Sequence, residues 1–371
     1  MKNIWIIMLP IVLLVVGCKE TTKNEMLQVP YIGKVESIAD TLIMDSYELL
    51  SLESNDNSLI SRIDRVIKYE NRYYVLDKRM KQLLAFDDSG GHLFTIHAVG
   101  SGIGEYANLK DFSIDKEGCW LLLLVDPSAI LYYDLSEGKY DHKLKLDNYY
   151  DAITNDSQNI YLERATYVNN KLSPSAITVM RKSDNVMNDI LKPLTEIAPY
   201  CHGQGVRMSA TNPLYFTRKF DDCIYKLGYG TLEPLYHIDW KEATFPSLSE
   251  KDTYECRKLN EMARKRGYVW SISDLQDSGE NILFRTNLPG LFRLSKRMNS
   301  IESYDLIFNT LDSIPLPNYV PVGGDANEVF FVYPVHLLKE QMNRKLSNRL
   351  TTLLEFMNED SNPIIFKYNL K

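Results

Sequence analysis

A chain of 371 residues, 44% hydrophobic and 25% charged, has ample material for a buried core. Its net charge of -7 leaves no basic stripe to neutralise phosphates. That excludes nucleic acid as a partner and keeps small polar ligands and proteins open. Aromatic residues make up 11%, with 24 tyrosines, a composition that leans towards β structure.

At the N-terminus, Lys2 precedes the apolar run Ile4 to Val16 and then Gly17-Cys18. The run is too short to span a hydrocarbon core, which needs roughly 20 residues, so it reads as a secretory signal. Leu14-Val15-Val16-Gly17-Cys18 resembles the bacterial lipobox, with Val15 where that pattern prefers Leu. The resemblance implies a signal over residues 1-18 ending at the lipidated Cys18, which becomes the new N-terminus, and a polar tether over 19-30. The body, residues 31-371, would then be held in the cell envelope on a bacterial membrane, the outer membrane being expected. Lys19-Glu20 resembles only part of the acidic surface-export signal of Bacteroidetes lipoproteins, which leaves the leaflet open.

Tyr47 to Glu53 alternates in part and predicts an outer strand. From Ile63 to Asp134 one pattern is then written twice. The first copy is Val66 to Tyr69, a turn at Glu70-Asn71, Tyr73 to Asp77, and Leu83 to Asp87. The second is Phe112 to Asp115, a turn at Lys116 to Gly118, Leu121 to Asp126, and Ile130 to Asp134. Asp77 and Asp126 stand 49 positions apart. A period of this size, built of short strands, predicts a β-propeller blade. One blade cannot bury both of its faces, so more should follow. Leu121 to Val125 is apolar without alternation, as a strand covered on both faces requires.

A third blade is predicted at Ala152-Ile153-Thr154 with Ile160 to Leu162, and a fourth at Leu214 to Arg218 with Cys223 to Leu227. Phe245 to Tyr268 breaks the pattern. Ser247 to Glu250 has capping-box spacing, Cys256, Leu259 and Ala263 share a face, and Gly267 ends a basic turn, so a helix is inserted here. Strands resume at Val269 to Ile272, Ile282 to Arg285, Leu291 to Leu294 and Val329 to Tyr333. Leu338, Met342, Leu346, Leu350, Leu353 and Met357 recur at helical spacing as a core-facing stripe, and Asn362 to Leu370 closes the chain as a strand.

Several of these segments resemble a family of Bacteroidetes lipoproteins built as six-bladed β-propellers with NHL-like repeats. They are Leu52 to Ile60 leading into Ile63 and Val66, the segment Leu214 to Leu227, the terminus Asn362 to Leu370, and Gly100-Ser101-Gly102-Ile103-Gly104-Glu105-Tyr106. In the last of these the family usually has Gly-x-Gly-Pro-Gly-Glu and an aromatic, and Ile103 stands in place of the Pro. The glycines precede a strand rather than a helix, so they form a turn between blades and not a dinucleotide site. The resemblance implies an all-β fold: a six-bladed β-propeller of four-stranded antiparallel blades, here with two helical insertions.

No catalytic constellation is evident. His92, His97, His142, His202, His237 and His336 lie far apart, no spacing suits a metal, and neither a nucleophile elbow nor a phosphate loop is present. Cys201-His202 are adjacent in sequence, whereas a nucleophile and its base need facing side chains. Cys119, Cys201, Cys223 and Cys256 could pair in three ways, and their scatter reads as free and buried. No cofactor or metal is expected.

The functional expectation is a membrane-anchored, monomeric lipoprotein whose propeller binds a glycan, a peptide or an envelope protein. The alternative is a hydrolase or lyase acting on polysaccharide or peptide. Strand order places Asp77, Asp126, Arg164, Arg218 and Arg285 at the ends of successive second strands, on the same face as Glu105 and Tyr106. The arginines would offer forked donors to a carboxylate-bearing ligand and Tyr106 a stacking surface. Against this stands pairing of the arginines with nearby carboxylates, which would hold the blades together.

Overall fold

The pattern repeated between Ile63 and Asp134 folds as two four-stranded antiparallel meanders. In the computed structural model, which describes residues 26–165, 167–168, 171–191, 205–210, 212–246, 255–316, 321–342 and 346–371, the first consists of Arg65–Tyr69, Arg72–Asp77, Gln82–Asp87 and His92–Ile96. The second consists of Asn108–Asp115, Trp120–Asp126, Ala129–Asp134 and Tyr140–Lys145. The third pairs Tyr150–Asn155, Asn159–Arg164, Ile177–Arg181 and Met187–Leu191 in the same order. In the fourth, a bridge from Met208 to Phe216 precedes Leu214–Phe216, Cys223–Gly228 and Thr231–Asp239. The fifth runs from Ile272–Ser278 through Asn281–Thr286 and Leu291–Ser295 to Ser300–Asn309.

The last meander joins the two ends of the chain. Gly323–Gly324, Glu328–Tyr333 and Ile364–Leu370 follow one another, and Met44–Ser51 completes the sheet by pairing antiparallel with Ile364–Leu370. At the seam with the first meander, Val66 N donates to Val322 O at 2.8 Å. A Cβ on Gly323 would lie 2.1 Å from Val66 O, so only glycine permits this approach.

Packing runs from each meander to its neighbour. Tyr74, Leu76 and Leu83 of the first pack on Phe112, Leu121 and Leu131 of the second. Leu122, Leu124 and Ile130 pack on Ile153, Ile160 and Leu162 of the third. The strand Trp120–Asp126 therefore buries Leu121, Leu123 and Val125 on one face and Leu122 and Leu124 on the other. This two-sided burial is the reason for its unbroken apolar run. The circuit closes where Phe330 and Ile365 of the last meander meet Val66, Tyr73 and Val75 of the first.

Three expectations need correction. The tether expected to reach residue 30 becomes strand at Leu27: Leu27–Ala39 pairs in parallel with Thr231–Asp239 through Leu27 to Pro30, then with Ser300–Asn309 from Tyr31 to Ala39. Val269 is no strand residue but makes a single bridge to Thr244. The stripe from Leu338 to Met357 is carried by two helices, Val335–Glu340 and Asn348–Glu355, the second capped by Ser347, which accepts from Leu350 N. Leu338, Leu350 and Leu354 are buried while Met342, just past the first helix, is exposed. The inserted helix is Cys256–Arg266, closed by Gly267 at φ 75°, with Leu259 and Ala263 buried as expected. Its proposed capping box at Ser247 lies outside the described residues.

Candidate functional site

Antiparallel order puts the turns between second and third strands, and the connections to the next meander, at one end of the ring. Arg164, Arg218 and Arg285 lie at this end, each paired with a carboxylate of its own sheet. Arg164 is buried, meets Asp189 at 3.1 Å and stands over the Tyr150 ring. The Arg218 guanidinium pairs with Asp221 and donates to Tyr225 Oη at 3.0 Å. Arg285 meets Asp274 at 2.6 Å. Gly205, at φ 77°, lets the backbone press against that pair, because its Cβ would lie 2.6 Å from Arg285 Nη2. Each of the three is held by a carboxylate, while Arg164 Nε and Arg285 Nε are buried without a hydrogen-bond partner among the described residues.

Other charges stitch neighbouring sheets together. Arg65 Nη1 donates to both oxygens of Asp111 at 2.7 Å, and Asp111 Oδ2 also accepts from Ile153 N at 3.0 Å, which links the first three sheets. Arg207 and Glu163 form a buried pair between the fourth and third, in which burial pushes the Glu163 carboxyl up against the pull of Arg207. Beside them, burial pushes the Lys219 ammonium down to about 8, aided by Arg207 and opposed by Glu163.

The Gly100 to Tyr106 loop departs from the expectation. Tyr106 is fully buried and its hydroxyl donates to Lys81 O at 2.8 Å, while burial pushes its phenol up to about 12. It offers no stacking surface. An aromatic ring with a satisfied hydroxyl is more stable inside, and the turn folds it there. Glu105 stays exposed, but its carboxylate accepts from Gly102 N at 2.7 Å and so caps its own loop. A cavity of about 830 Å³ opens at this end beside Arg62, Lys78, Arg285 and His336, with Asp64, Asp274 and Asp360 interleaved.

The opposite end carries the turns between first and second and between third and fourth strands. Two cavities lie here, of about 730 and 740 Å³, and they share Ser157, Gln158 and Tyr229. Lys68, Lys116 and Lys226 line the first. Lys68 is taken by Glu328, whereas among the described residues no carboxylate lies within ion-pair distance of Lys116 or Lys226. Lys116 stands over the Tyr69 ring, 5.4 Å from its centroid. Asp156 is held inward: it accepts from Tyr161 Oη at 2.5 Å and from Tyr229 N at 3.1 Å. Burial opposes its charge, but these bonds and those from Gln158 N and Asn159 N outweigh it and keep the carboxyl below the usual range. Reading the sequence missed this end, although Tyr229-Gly230 between two strands is a two-residue hairpin signal.

Cys119 is free and exposed and Cys223 is free and half-buried. Cys256 is disulfide-bonded, which corrects the expectation of four free, buried thiols. Export to an oxidising compartment would permit such a bond. His92, His142 and His237 contact separate neighbours, Thr95, Asp141 and Gln28. Among the described residues no group of three or more His, Cys, Asp or Glu is placed to hold a metal ion. Cys18, Cys201 and His202 lie outside the described residues.

Among solved structures, the chain is similar to an exported protein from Bacteroides fragilis at 16% identity and a TM-score of 0.75, over 93% of this chain and 99% of that one. It is similar also to a member of the duf4221 family from Bacteroides vulgatus, 9% identical with a TM-score of 0.49, over 88% of this chain and 97% of that one. The first likeness shows a shared fold. No curated protein matches the chain. A model described as Domain of unknown function (DUF4934) matches residues 31–369. The match takes in nearly the whole body, and the chain belongs to that family.

Proposed function

We propose that this chain is a bacterial envelope lipoprotein, anchored through Cys18, whose ring of six four-stranded blades binds a glycan, a peptide or an envelope protein without transforming it. The blade count is supported by the succession of meanders and by the pairing of Met44–Ser51 with Ile364–Leu370. The similar fold of an exported Bacteroides protein is consistent with an envelope location.

The observation that carries the binding reading is the pair of adjoining cavities at the turn end, where Lys116 and Lys226 have no carboxylate partner among the described residues. Charged groups left unneutralised beside a concave surface suit a polar ligand. At the other end the expected arginines are already paired, and the turn end is therefore the preferred mouth.

The test is a glycan array and a polysaccharide-degradation screen on the chain without residues 1-18. Retention of a glycan with no product over time supports binding. Steady release of shorter products would replace it with a hydrolase or lyase. The anchor is tested separately: Cys18→Ala should move the protein out of the detergent phase, and continued fractionation with membranes would require another anchor.

A further inference from the structure

Tyr229 and Gly230 form the two-residue turn between Cys223–Gly228 and Thr231–Asp239, with φ of 52° and 74°. Glycine accepts this left-handed conformation freely, while a bulky side chain there is strained. Among the described residues one other aromatic side chain, Phe220, sits at positive φ. Its ring stacks on Trp270 at 5.4 Å, so core packing accounts for it. Tyr229 has no such account, because it is 91% exposed. Strain at an exposed, well-fixed position points to use rather than to stability.

The position is fixed from the neighbouring blade. Tyr229 N donates to Asp156 Oδ2 at 3.1 Å, and Gly230 N donates to Tyr161 Oη at 3.0 Å. The ring thus stands on a braced turn that lines both cavities. Around it are the neutral hydrogen-bonding side chains of Ser157, Gln158 and Asn212, and Lys116 and Lys226; the carboxylates that also line the cavity are engaged, Glu117 with Lys182, Asp325 with Lys68, and Asp156 with Tyr161 Oη and Tyr229 N.

The geometry points to a site for an acidic oligosaccharide laid across the two cavities, with Tyr229 as the stacking platform and Lys116 and Lys226 as donors to its carboxylates. This rests on the reading of the turn end as the binding mouth. A pyranose presents an apolar C–H face to an aromatic ring and hydroxyls to the amides beside it. Two lysines with no carboxylate partner among the described residues, on a chain of net charge -7, suit carboxylates spaced along a sugar chain better than a dense phosphate backbone.

The experiment is calorimetric titration of residues 19-371 with oligogalacturonate, alginate and hyaluronate fragments, and with methyl-esterified, neutral oligogalacturonate. At least one acidic fragment should bind. Tyr229→Asn removes the ring while suiting the left-handed turn, so the melting temperature should hold or rise while affinity falls about tenfold. Lys226→Gln should weaken the acidic fragment and leave any binding of the neutral one unchanged. A fall in melting temperature with affinity intact in Tyr229→Asn would make the tyrosine structural and overturn the site. Equal binding of charged and neutral forms would overturn the acidic class. Failure of all three acidic fragments, with another ligand captured on the array, would overturn this inference and leave the binding function standing.

Discussion

Arg65 and Asp111 show why charge at this ring is mostly a matter of assembly. Asp111 is fully buried and Arg65 nearly so, and their pair crosses from the first sheet to the second. A buried pair adds little net stability, but removal of one partner leaves the other charge uncompensated. Asp111→Asn should therefore cost about 3 kcal/mol in urea denaturation. Arg62→Ala, which removes a pair whose arginine is 62% exposed, should change stability by less than about 1 kcal/mol. Equal effects would show that the inter-sheet pair is no clasp. The same distinction explains what could be read at this scale. Strand order puts Arg164, Arg218 and Arg285 at one common end, but it does not reveal their partners. Asp189 and Asp274 reach them from other strands of the same sheets. Strand order assigns Tyr106 to that end through its connecting loop but does not show which way the ring points, and the ring turns inward to meet Lys81 O.

At the scale of elements, strands with two buried faces were legible and strands with two wet faces were not. Trp120–Asp126 and Ile364–Leu370 announce themselves by apolar runs. Leu27–Ala39 is mostly exposed and pairs in parallel with strands some 200 and 270 positions away, so neither periodicity nor a local turn marks it. The C-terminal strand has the clearest energetic role. Ile364, Ile365, Phe366 and Tyr368 are all buried between Glu328–Tyr333 and Met44–Ser51. Burial of four such side chains contributes on the order of 6–12 kcal/mol, comparable with the whole stability of about 5–15 kcal/mol of an ordinary domain. Deletion of residues 364-371 would also strand Met44–Ser51 and open an edge. The truncated chain should show no cooperative melting transition. A transition at the parental temperature would rule out closure through this strand.

The repeat was legible because it is a packing unit: each meander buries its faces on its neighbours, and the last packs against the first. That packing places many of the 24 tyrosines inside, with a consequence for alkaline stability. Burial pushes the phenol of Tyr106 up to about 12, and those of Tyr74, Tyr133, Tyr215, Tyr304 and Tyr368 are also raised, with burial the largest cause in each. A raised phenol holds its proton more tightly in the folded state than in the unfolded chain, where it ionises near 10. The associated stability is fully present below about pH 10 and is lost as pH rises through the folded values, by about 1.4 kcal/mol per pH unit for each such tyrosine. Urea midpoints should therefore be insensitive to these groups up to about pH 9.5 and fall steeply by about pH 11. Tyr106→Phe should lower the neutral-pH midpoint modestly, by the roughly 1 kcal/mol of one hydrogen bond, and make the alkaline decline shallower. A midpoint that stays level through pH 11 in the parent chain would mean that these phenols ionise without unfolding the ring.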